Sequence, residues 1–112
     1  MARTELTVQT ISRAGLEATT DAAIADGHKF VNDGKLTLLH VINGATDVVV
    51  TVQTAYTLDG KALADDTVTC TANEERFIGP FPADIYNQTD GMVYIDYDDT
   101  SNVTVSVLRL GV

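Results

Sequence analysis

The stretch Leu36-Thr37-Leu38-Leu39-His40-Val41-Ile42 decides the fold. Its apolar residues fall on both alternating faces, as expected of a central β-strand or of one whose outer face is covered. Turn dipeptides bracket it, Asp33-Gly34 before and Asn43-Gly44 after. Glycine takes positive φ without steric cost, and Asn and Asp tolerate it best among the other residues. Asp59-Gly60 and Asp90-Gly91 repeat the signal.

Between these turns the period is two. Leu6 and Val8 alternate with Glu5, Thr7 and Gln9, and Val48, Val50 and Val52 with Thr51 and Gln53. Val68 and Cys70 alternate with threonines, Val93, Ile95 and Tyr97 with Tyr94 and Asp96, and Val103, Val105 and Val107 with Thr104 and Ser106. Arg76-Phe77-Ile78 adds a short strand ended by Gly79-Pro80. β-Branched residues suit a pleated surface and disfavour helix. Seven or eight short strands with one-sided burial predict an all-β fold: a two-sheet antiparallel sandwich, jelly-roll-like, over residues 1–112 as one domain. Leu16 to Ala25 reads as a crossing loop with at most one helical turn, and Ala83 to Asn87 as a turn or short 3₁₀ piece.

Composition narrows the function. The chain has 112 residues, 45% of them hydrophobic, with no Trp, three Phe and four Tyr, so the core is aliphatic. Sixteen acidic against seven basic residues give a net charge of −9. That opposes binding to nucleic acid backbones or anionic membranes and favours dispersal in water, or a basic partner patch. One cysteine, Cys70, allows no internal disulfide. The opening Met1 to Leu6 lacks the apolar run of a signal peptide, and no stretch reaches membrane-span length, which points to synthesis in a reducing interior.

Chemistry-bearing residues are sparse. His28 and His40 are the only histidines, and Cys70 shares the apolar parity of Val68, so a thiol–imidazole dyad is a remote reading. Asp96, Asp98 and Asp99 form the best calcium candidate, yet without the glycine and distant glutamate of an EF-hand loop. No phosphate-binding glycine loop or zinc spacing is present. The expectation is therefore no catalytic residues, no cofactor and no resident metal.

Two groups of residues carry a wider likeness. Gly27-His28-Lys29-Phe30-Val31-Asn32-Asp33-Gly34-Lys35 precedes Leu39-His40-Val41-Ile42-Asn43-Gly44, and Glu75-Arg76-Phe77-Ile78-Gly79-Pro80-Phe81-Pro82 precedes Tyr86-Asn87. With Ile11 to Leu16 and Val103 to Leu110, they resemble the head decoration (cement) proteins of tailed bacteriophages. That resemblance implies a jelly-roll sandwich acting as a homotrimer on the outside of the virion. There it would bridge major capsid protein subunits, with no chemistry and no nucleic acid or membrane partner. A tail or head–tail junction protein and a carbohydrate-binding module are the alternatives. Two segments are expected at a partner interface. One is the N-terminal arm or edge strand 1–13 with Arg3 and Arg13; the other is the stiff corner Pro80-Phe81-Pro82, with Phe30 nearby.

Overall fold

A computed structural model of the chain describes residues 3–62 and 64–110; Met1 and Ala2 of the expected arm lie outside that range. The strands are β1 (Thr4–Glu5), β2 (Val8–Ile11), β3 (Asp21–Ala22), β4 (His28–Val31), β5 (Thr37–Ile42) and β6 (Val48–Val52). They continue with β7 (Thr57–Leu58), β8 (Lys61–Ala62), β9 (Asp66–Cys70), β10 (Glu75–Ile78), β11 (Met92–Tyr97) and β12 (Thr104–Leu110). A single helical turn, α1 (Ala83–Tyr86), follows Pro82.

The fold is an all-β sandwich of two five-stranded sheets. Sheet 1 has the order β1-β4-β11-β6-β9; sheet 2 has the order β10-β5-β12-β2, with β3 also paired to β12; β7 and β8 form a separate ribbon. Two expectations are corrected. The sheets are mixed, because β1 runs parallel to β4 and β2 parallel to β12. The described residues also hold 12 strands rather than seven or eight. Four of the additional elements span only two residues, too few for any period to show.

Both parallel pairings come from one crossing. The chain leaves β1 in sheet 1, buries Leu6 between the layers, and enters β2 in sheet 2. Residues 12–22 then run exposed over the surface without a helical turn. β5 lies between β10 and β12, the interior position its two-faced apolarity predicts.

The core is the set of inward residues from both sheets. Leu39, Val41, Val105 and Val107 of sheet 2 face Phe30, Val48, Val50, Val93 and Ile95 of sheet 1, all 0% exposed. Close packing of small branched side chains holds the layers together, at about 1.5–3 kcal/mol per fully buried Val, Leu or Ile relative to exposure.

The Asn32-Asp33-Gly34 turn fixes one end of the sandwich. Asp33 Oδ1 accepts hydrogen bonds from the backbone N–H groups of Lys35, Leu36 and Thr37 and from Thr37 Oγ1, at 2.9–3.2 Å. Its Oδ2 meets Arg109 Nε at 2.9 Å. The Lys35 N–H bond leads the donors that hold the Asp33 carboxyl well below the usual carboxylate range. Asp33→Ala leaves these donors without an acceptor, Thr37 among them at 1% exposure. It is expected to cost about 2–3 kcal/mol, read as a lowered urea midpoint with unchanged slope. The same carboxylate stabilises the fold at neutral pH, and its contribution fades as pH falls below about 4.

Candidate functional site

The two sheets present unlike outer faces. Sheet 1 shows Lys29, Thr51, Thr67, Thr69, Tyr94 and Asp96 on its outer face, interspersed with Val31, Val49 and Met92. On sheet 2 the residues facing away from the core follow from register. Phe77, His40 and Ser106 form one cross-strand row; Leu38, Leu108 and Gln9 form the next; Leu36, Leu110 and Ile11 follow. Glu75, Ile42 and Thr104 form a further row, and Ser106 and Leu108 are buried, so the apolar exposure of this face is concentrated at Phe77 and Leu110.

Its most exposed part is a shallow open groove of about 220 Å³ lined by Leu36, Leu38, Phe77, Pro80 and Leu110. The groove exists because β10 stops early. Pro80 has no N–H to continue a ladder, and the chain turns inward at Phe81 while β5 runs on to Thr37. Gly79 lies against Leu38, where an added Cβ would sit 3.1 Å from the Leu38 Cβ. Phe77 is 60% exposed and Leu110 52%. The Phe77 ring stacks on His40, with centroids 4.2 Å apart and planes 8° off parallel. His40 Nε2 lies 3.4 Å from Glu75 Oε1, and neither it nor Ser106 Oγ makes a hydrogen bond.

The expected interface residues divide. Pro80 lines the groove, and Pro82, two residues on, is exposed. Arg13 is exposed in the loop after β2. Arg3 is occupied within the chain. It clamps Asp96 with both terminal nitrogens, at 2.6 and 3.1 Å, donates to the Ile95 carbonyl, and lies over the Tyr94 ring. Phe30 and Phe81 are core residues, 0% and 2% exposed, with ring centroids 5.5 Å apart. The proline-flanked corner holds Phe81 inward against Tyr86, and Asn32 Nδ2 donates to the Phe81 carbonyl and to Asn87 Oδ1. The two segments that carry the resemblance are thus joined physically here. Sequence reasoning missed Phe77, Leu36, Leu38 and Leu110 as surface residues, because their exposure depends on where the neighbouring strand ends.

The other candidates are dispersed. Asp96 is held by Arg3 and Gln53; burial raises its carboxyl pKa, but these bonds outweigh that and lower it. Asp98 accepts from Val49 N–H, and Asp99 from Thr46 and Ser101. Among the described residues, no three His, Cys, Asp or Glu converge in a metal-binding group. Cys70 points into the core, donates to the Glu74 carbonyl at 3.4 Å, and has a pKa raised by burial, whereas His40 lies on the opposite face of its sheet. Tyr86 bonds Asp66, Tyr94 bonds Asp90 and Tyr97 bonds His28. Among the described residues, no helix is long and apolar enough to cross a membrane.

His28 is 2% exposed, with Nδ1 2.8 Å from Tyr97 Oη. Burial lowers its pKa, opposed by the charge of Asp21. The folded state therefore takes up a proton at lower pH than the unfolded chain does. This stabilising contribution is complete above about pH 6.5 and is lost as pH falls through the folded value. Thermal melts from pH 7.5 to 5 should show a fall of at most about 1.4 kcal/mol per pH unit, and His28→Phe should flatten it. Compared with protein-family models, with curated proteins and with solved structures, the chain matches none.

Proposed function

We propose that this chain is a non-enzymatic structural protein of a tailed-phage virion that binds the outer face of the capsid and bridges major capsid protein subunits. The observation that carries the reading is an exposed apolar groove on an otherwise acidic molecule. One sheet carries an open apolar groove with Phe77 and Leu110 more than half exposed, in a chain whose net charge is −9. A small module stabilises a shell by binding its expanded form alone, contributing RT ln(1 + [L]/Kd) per site. Several copies acting together on a lattice multiply the effect through effective concentration. The acidic surface fits a basic patch on the shell subunits.

The test uses expanded shells of the encoding phage that lack this protein. Saturable binding, weakened by salt and accompanied by a higher rupture temperature, is the expected result. No binding to any shell form would dispose of the proposal. Binding confined to one vertex or the tail would favour the tail or junction role instead.

A further inference from the structure

We propose that the free edge of β9 is a separate binding site, which takes an extended segment of a partner polypeptide, bearing a lysine or arginine, as an added strand. The edge strands of the two sheets meet at the two sides of the sandwich, β1 with β2 and β9 with β10. The crossing at Leu6 closes the first side. The second side is open. A cleft of about 300 Å³ runs between β9, β10 and the proline corner, lined by Val52, Asp66, Val68, Ile78, Phe81 and Tyr86 among others.

Register shows which backbone groups of β9 are free. The Val49 carbonyl of β6 accepts from Asp98 N–H, and Gln53 N–H, just past β6, donates to the Tyr94 carbonyl, so the odd-numbered residues there turn toward β11. Val48, Val50 and Val52 turn the other way and pair with Cys70, Val68 and Asp66 of β9. Thr67 and Thr69 therefore aim their N–H and C=O groups away from the sheet, and among the described residues none of these four groups has a partner. Edges are ordinarily blunted by charge, proline or cover. β10 carries Glu75 and Arg76 and stops before Pro80, whereas Thr67-Val68-Thr69 at the middle of β9 has no such device. An added strand continues the ladder through main-chain bonds and sends alternate side chains into the cleft.

The charge at this edge identifies the occupant. Asp66 is the one charged residue among those lining the cleft, Asp65 precedes it, and β9 carries no cation. The Tyr86 hydroxyl holds the Asp66 carboxylate in place. A basic side chain entering the cleft meets Asp66, and an acidic one is repelled. The β9 strand of a second copy brings no cation to that position. This site is distinct from the groove of sheet 2, so either can fail alone.

The experiment uses the full chain without shells and the synthetic peptide acetyl-Thr-Val-Thr-Lys-Thr-Val-Thr-amide, with amide exchange followed by NMR. The Thr67 and Thr69 amides should exchange several-fold more slowly as peptide is added, while Val68, already in the ladder, stays unchanged. The peptide with Glu in place of Lys should bind about fivefold more weakly, and Asp66→Lys should reverse that preference. Thr69→Pro removes an outward N–H at an edge, where a sheet tolerates proline, and should weaken binding at least about fivefold. Should it fail to fold by circular dichroism, Thr69→Lys serves in its place by setting a like charge beside the peptide. Unchanged exchange at Thr67 and Thr69 in millimolar peptide overturns the inference, as does equal binding of the two peptides. So does protection of these amides that rises with the protein's own concentration in the absence of peptide, which would put a second copy on the edge.

Discussion

Replacing Phe30 with alanine is expected to destabilise the protein by about 3–5 kcal/mol. The ring is fully buried and meets Phe81, which in turn meets Tyr86 edge-on at 5.6 Å. The cavity left opens at the junction of β4, the Gly79–Pro82 corner and α1, where Asn32 already fixes the backbone and little can collapse. A domain of this length has a total stability of roughly 6–17 kcal/mol, so the loss is a large fraction. It should appear as a fall in Tm on the order of 15–30 °C. Phe81→Ala should behave similarly, and the double variant should lose less than the sum because the rings share one contact. A change below about 0.5 kcal/mol would instead make Phe30 a surface contact.

Gly27→Ala is the second large effect. Gly27 sits at φ +79° where β4 begins, under the Arg3–Asp96 pair. An added Cβ would lie 2.6 Å from the Ile95 carbonyl oxygen, a backbone atom of the neighbouring strand that cannot swing aside. The expected cost is about 2–4 kcal/mol, from the left-handed backbone plus displacement of β4 against β11. Gly60 provides the control, with φ +77° and nothing within 4 Å of an added Cβ. Gly60→Ala should cost only about 1–2 kcal/mol, the backbone part alone. Equal urea midpoints for the two variants would mean that the close approach at Gly27 carries no energy.

The sandwich was legible because Val103 to Val107 keep a strict period of two, and Val48 to Val52 and Val93 to Tyr97 keep it but for Val49 and Tyr94. Such a pattern can bury one face and no more. The mixed pairing was not legible. Thr4–Glu5 and Asp21–Ala22 are too short for a period, and their partners follow from the crossing at Leu6, a three-dimensional event. Arg3 read as a free cation because Asp96 is 93 positions away in the chain. Phe81 read as displayed because its flanking prolines signal stiffness but not direction. The two-faced apolarity of Leu36 to Ile42 left two options open, an interior strand or a covered outer face. β5 is interior, and its outer residues remain uncovered beyond the end of β10.

Hydroxyl-radical footprinting of the protein, free and bound to expanded shells, bears most directly on the central claim that this molecule adheres through the open groove of sheet 2. Phe77 and Leu110, 60% and 52% exposed in the free chain, should become several-fold less reactive on binding, while Met92 and Tyr94 on sheet 1 keep constant reactivity. Unchanged reactivity at Phe77 and Leu110 in the bound protein, or protection confined to Met92 and Tyr94, would contradict it.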